Sequence, residues 1–213
     1  METREIIGLI IITLTEWGGL AIWLVLILDG DTILGDSTVQ YAAATVILAV
    51  LLIVEHFAGF IAFQPGVALD VDKVIKVLFV GLSETFLWAV WLFVAKDIVS
   101  DVLLGSLLGF VFLAITMFIQ HSIESNIFQG RELFDGAPFL FDMAKVKETY
   151  DFTLLEVIAG AYWLNFVLIG DELIGLIVLF GGLLVEHIIS ASTLGGGYRG
   201  SQISNSGSGT STT

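Results

Sequence analysis

The sequence predicts an all-α integral membrane protein whose six transmembrane helices form three tandem two-helix repeats around a pseudo-threefold axis. Three observations carry that expectation. The chain has 213 residues of which 56% are hydrophobic, and its mean hydropathy is +0.95. A soluble domain averages roughly 45–50% apolar residues. The surplus is gathered into six runs, at about 6–28, 41–63, 77–95, 102–121, 152–170 and 173–190, each near the length that crosses ~30 Å of hydrocarbon. These runs are apolar on all faces, whereas a helix of a soluble bundle carries a single apolar stripe. The third observation is a pattern, L-x-E-x6-W-L, that occurs three times: Leu14 to Leu24, Leu82 to Leu92 and Leu154 to Leu164.

Taken in order, the first run carries Glu16, Ala21 and Trp23 and has no small-residue cleavage site, so it is expected to stay in the mature protein. It ends in the acidic stretch Asp29-Gly30-Asp31. The second run carries Glu55-His56 and is followed by the turn signal Pro65-Gly66. The third repeats the pattern with Glu84, Ala89 and Trp91. The fourth opens with Gly105-Ser106-Leu107-Leu108-Gly109, a spacing that admits close helix approach, and ends at Gln120-His121. A long connection, about 122–151, mixes Arg131, Lys145 and Lys147 with Phe134, Phe139 and Phe141. That mixture suits either a segment at the headgroup level or a plain loop. The fifth run carries Glu156, Ala161 and Trp163, and the few residues around Gly170–Glu172 force it into an antiparallel hairpin with the sixth, which carries Glu186-His187. The expected organisation is one membrane domain, 1–192, with repeats at about 6–66, 73–136 and 145–192 and a disordered Gly/Ser/Thr-rich tail at 193–213.

Charge narrows the partners. There are no cysteines, which excludes disulfides and thiolate metal sites. A net charge of −14 argues against nucleic acid, whose binding rests on Lys and Arg at phosphates. Acids crowd the connections, as high-salt surroundings that screen repulsion would permit. The lipid bilayer is the expected partner. Arg4, Lys73, Lys76, Arg131, Lys145, Lys147 and Arg199 flank one side and only Lys96 the other, which puts both termini in the cytoplasm of a multi-pass cell-membrane protein.

The repeated polar residues carry the chemistry. By a rise of ~1.5 Å per residue, the glutamates and the chain's three histidines fall in one layer in the inner half of the bilayer. No Lys or Arg lies well inside any run, so a buried carboxylate must be protonated, paired with imidazolium, or share a bound metal. Imidazole and carboxylate suit Zn, Fe, Mn or Ni. The expected ligands are His56, His121, His187, Glu16, Glu84 and Glu156, with one ion per chain. Glu55, Gln120 and Glu186 precede the histidines and are expected to orient an imidazole, a task an amide oxygen also performs. Trp23, Trp91 and Trp163 stand seven residues beyond each glutamate, either as an interfacial belt or as an inward plug closing the outer entrance. On this reading the protein binds a divalent metal or conducts ions or protons, as a transporter or channel does. Two alternatives stand beside it: a membrane metalloenzyme whose site joins the three histidines with a glutamate, and an assembly protein whose polar layer only holds the bundle together.

Overall fold

The computed structural model describes the backbone of residues 2–28, 37–64, 68–96, 98, 102–128 and 143–206, with side chains described for 2–28, 38–64, 68–95, 98, 104–127 and 149–192. Among them are six helices: α1 (Thr3–Leu28), α2 (Ser37–Phe63), α3 (Val71–Lys96), α4 (Val102–Phe128), α5 (Met143–Leu168) and α6 (Glu172–Ser206). Each contains a stretch long and apolar enough to cross a membrane. The chain is therefore a multi-pass membrane protein. The odd helices are each 26 residues long, about 39 Å at the α-helical rise, which spans the hydrocarbon and reaches into both interfaces.

Several helices outrun the apolar runs that announce them. α3 begins at Val71, ahead of the expected start near 77, because Asp70 caps it: its carboxylate accepts the Lys73 amide N–H at 2.9 Å and satisfies a donor of the first turn. The same carboxylate lies 2.5 Å from Lys73 Nζ, and these contacts hold it below the usual carboxylate range. α4 continues to Phe128, past the expected end at His121, and α5 starts at Met143. The helix backbone persists through polar residues that leave the hydrocarbon, so hydropathy understates helix length. The expected basic-aromatic connection is thereby shortened to 129–142, outside the described residues, as are Pro65-Gly66 and the acidic turn after Leu28. The apolar part of α6 ends at Ser192, although its helix runs on to Ser206, into the stretch expected as a tail; residues 207–213 lie outside the described residues.

The α5–α6 hairpin turns as its sequence demands. Gly170 takes φ +86°, its N–H donates to the Val167 carbonyl at 3.1 Å, and the Asp171 N–H donates to the Phe166 carbonyl at 2.9 Å. That pair of bonds is a Schellman end, which needs a residue without a Cβ in the left-handed region.

The six helices close into a ring. The helix pairs α1–α2, α3–α4 and α5–α6 pack most extensively, α2–α3 and α4–α5 join them, and α6 packs back on α1. Trp17 fastens that closure: its indole N–H donates to the Leu176 carbonyl at 3.0 Å, and its ring meets Phe180 edge-on at 5.6 Å. Small residues set the hairpin spacing. A Cβ on Gly8 would lie 2.2 Å from that of Ala62, and one on Gly182 would lie 2.2 Å from that of Ala159. Gly109 of the G-x-x-x-G serves its own hairpin, where a Cβ would meet Ala95 at 2.6 Å. The outer surface is greasy, with Ile10, Val46, Val50, Phe86, Phe93 and Ile177 all exposed. The buried polar residues lie inside, so the polarity of a soluble protein is inverted, as lipid requires.

Candidate Glu/His centre

Each odd helix brings one glutamate into the ring at the same height. Glu16, Glu84 and Glu156 each stand thirteen residues beyond the first residue of a 26-residue helix, and all three are buried. The imidazoles arrive from the even helices and reach across to the next helix of the ring. His56 Nε2 on α2 lies 3.3 Å from Glu84 Oε2 on α3. His121 Nε2 on α4 lies 3.0 Å from Glu156 Oε2 on α5. His187 Nε2 on α6 lies 3.1 Å from Glu16 Oε2 on α1. The chain thus pairs each histidine with the glutamate of the following hairpin, and the last with the first.

The far edge of each imidazole is also held. Thr13 Oγ1 lies 3.0 Å from His187 Nδ1, and Thr153 Oγ1 lies 2.7 Å from His121 Nδ1. Both threonines precede the glutamate of their helix by three residues, hence share its face. The middle odd helix has Gly81 at that place, where α2 packs closely: a Cβ there would meet the Ile53 backbone at 3.1 Å. His56 Nδ1 turns instead to the Leu52 carbonyl at 2.8 Å and to Glu55 Oε2 at 2.5 Å. A carbonyl only accepts, so His56 Nδ1 carries the proton and, in the neutral ring, Nε2 keeps its lone pair for the centre. A ring nitrogen anchored by backbone oxygen with its partner nitrogen free is how metal-binding imidazoles are set.

Glu55, which holds His56 Nδ1, and Glu186 also reach His187. Glu186 Oε2 lies 3.3 Å from His187 Nε2, and Glu55 Oε1 lies 3.8 Å from the same nitrogen. Gln120, at the equivalent place in the middle hairpin, is buried with neither amide atom hydrogen-bonded. Sequence reading passes over Glu124, which lies one turn further along α4. Its Oε1 is 3.8 Å from His56 Nε2. The carboxylate that Gln120 lacks is therefore supplied four residues later on the same face. The spacing His121-x-x-Glu124 carries the signal, but the apolar run ends at His121 and hides it. Thr13 and Thr153 escape notice as well, since a threonine in an apolar run reads as filler.

The three histidines, six glutamates (16, 55, 84, 124, 156 and 186) and Ser190 line one polar cavity of about 30 Å³. A water needs roughly 10–15 Å³ by this measure, so the space suits ions or a few waters. Among the described residues, three groups of side chains bring ligand atoms within 4.8 Å of one another: Glu16, Glu186 and His187; Glu55, His56 and Glu84; and Glu16, Glu84 and Glu156. None of these groups unites two imidazoles. The ligand set is dominated by carboxylates, unlike the three-imidazole zinc site that a metalloenzyme built on the three histidines would need. Glu156 completes the anomaly. Its approach to His121 is close without being directed as a hydrogen bond, and both of its buried oxygens lack a directed donor.

Toward the other face the ring interior is sealed by apolar side chains. Leu52, Met117 and Leu183 lie one turn before the histidines, and Leu48, Leu113 and Leu179 lie one turn further; all six are fully buried. Trp23, Trp91 and Trp163 belong to this core with no more than 1% exposure. The indoles therefore face inward and do not form a lipid-facing belt. Trp88 ties the core to the polar layer: its N–H donates to Glu84 Oε1 at 3.2 Å, and its ring meets Trp91 edge-on at 5.1 Å.

Comparison of the chain with family models, with curated proteins and with solved structures returned no match.

Proposed function

We propose that this membrane protein binds divalent cations in the central Glu/His layer and handles them as a transporter or channel does. One observation carries the reading: oxygens of Glu16, Glu84 and Glu156 lie within 4.8 Å of one another, each with one imidazole nitrogen 3.0–3.3 Å away on its outer side. As bare carboxylates they would repel by about 3.5 kcal/mol per pair even at an effective dielectric of ~20, about 10 kcal/mol for the three. That is as large as the whole stability of a typical domain, about 5–15 kcal/mol. A cation at their centre reverses the sign of the term. Mixed oxygen and imidazole ligands suit Zn, Fe, Mn or Ni. The protein would thus be a membrane metal-binding protein in which Glu16, Glu84, Glu156, His56, His121 and His187 ligate and Glu55 and Glu186 join them.

In this reading the three hairpins are copies related by a pseudo-threefold axis along the membrane normal. Equal placement of the three glutamates in helices of equal length supports it, as does the cyclic pairing of each histidine with the next glutamate. Lys73, Lys76 and Arg4 mark the cytoplasmic side, so cations enter the layer from the cytoplasm and the Trp/Leu core is the outer gate. A second reading, proton conduction along the ring, is favoured by the 3.0–3.3 Å spacing of the three His–Glu contacts, which also suits shared protons.

Elemental analysis of the purified full chain in detergent separates the two. Divalent metal is expected to copurify, to leave with a chelator and to return on dialysis. His56→Ala, His121→Ala and His187→Ala are each expected to lower occupancy sharply. A folded parent protein that neither carries nor takes up divalent metal would overturn the cation reading and leave the proton pathway.

A further inference from the structure

The Glu/His layer contains more ligands than one ion can use. The cavity presents six carboxylates and three imidazoles, whereas a closed structural site commonly takes four. The groups also overlap. Glu16 belongs both to the group with Glu186 and His187 and to the group with Glu84 and Glu156, and Glu84 belongs both to that group and to the one with Glu55 and His56. A carboxylate has two oxygens, so a residue shared between neighbouring groups is positioned to bridge two ions.

From that overlap we infer that the centre is polynuclear: a carboxylate-bridged cluster of divalent ions, three at full loading, with Glu16 and Glu84 as the bridging ligands. The inference rests on the cation reading above and extends it. Three ions match the ligand ratio of carboxylate-bridged di-metal bundles, where four glutamates and two histidines serve two ions; six and three serve three. Charge agrees. Six carboxylates line the cavity; fully ionised they carry six negative charges, which three divalent ions neutralise and three imidazolium ions would only halve. Distance agrees as well. Ligands on opposite sides of an ion with bonds of ~2.1 Å are about 4.2 Å apart, inside the 4.8 Å within which each group's ligand atoms fall. Glu156, whose two buried oxygens lack a directed donor, then ligates the third ion beside His121. The relocation of a carboxylate from position 120 to Glu124 acquires a reason too, since it keeps the acid count at two per imidazole.

The test uses the full chain in detergent, stripped with a chelator and reloaded with Mn(II) alone. Bound Mn per chain is read by elemental analysis and the ions' mutual coupling by electron paramagnetic resonance. The expected result is three Mn per chain, with the hyperfine pattern of isolated Mn(II) replaced by an exchange-broadened spectrum. Glu84→Gln, checked for helical content and a single gel-filtration species, is expected to lower the stoichiometry and restore the isolated-ion pattern. Glu16→Gln serves the same purpose, and if neither variant folds the parent's stoichiometry and spectrum decide. One Mn per chain with an isolated spectrum overturns the cluster and leaves the cation site standing. Several Mn without coupling overturns the bridging. No Mn uptake by folded protein overturns both the cluster and the cation reading.

Discussion

Replacing Thr153 by Val tests whether the hydroxyl behind an imidazole serves metal binding or only helix packing. The two side chains have nearly the same shape, so the change removes the 2.7 Å contact to His121 Nδ1 and opens little space. Two magnitudes separate the roles. Interhelical polar contacts inside membrane proteins average about 0.6 kcal/mol, with a maximum near 1.7. A hydrogen bond that fixes a metal-binding imidazole is worth roughly 10–100-fold in metal affinity, which is about 1.4–2.7 kcal/mol. If the hydroxyl holds Nε2 on an ion beside Glu156, affinity therefore falls by at least tenfold while the unfolding midpoint barely moves. Mn(II) or Zn(II) affinity measured by competition with a fluorescent chelator reads the first quantity, and thermal unfolding in detergent reads the second. Thr13→Val should behave alike, because Thr13 holds His187 in the same way. Thr15→Val should be silent, since its hydroxyl returns to the Ile11 and Ile12 carbonyls of its own helix. Folded Thr153→Val protein with the parent's affinity would refute the reasoning and reduce the threonines to packing.

Other outcomes follow from the same structure. Trp91→Ala removes a fully buried ring from the apolar core above the Glu layer, so cation leak into protein-loaded liposomes should rise; a folded variant as tight as the parent removes the tryptophans from the gate. Single cysteines at Glu172 and Val71, at opposite ends of the bundle, should differ in intact cells. The first should react with an impermeant reagent and the second should not, and the reverse pattern inverts the assigned orientation. Gly8→Leu forces a side chain into the 2.2 Å gap facing Ala62 and should lower stability by about 1–3 kcal/mol through overpacking, read as a lower unfolding midpoint.

Much of this protein was legible before any fold was built, because the signals are local. Hydropathy and helix length are properties of a single segment, so the six spans and the α5–α6 hairpin at Gly170 follow from the residues between them. The spacing of Glu16, Glu84 and Glu156 to their tryptophans, and the recurrence of one histidine per hairpin, picked out the central polar residues for the same reason. What the spans could not reveal was which way each helix faces. A helix apolar on every side has no stripe to mark its inner face, so the placement of Trp23, Trp91 and Trp163 was as compatible with lipid as with the core until six helices closed a ring. Partner choice was equally hidden. That His56 meets Glu84, His121 meets Glu156 and His187 returns to Glu16 depends on contacts between hairpins far apart in the chain. Glu124 lay beyond the apolar run and became part of the centre only because α4 stays helical to Phe128. Residue types and their spacing along each helix determined what could ligate; the rotation and closure of the helices decided what meets what.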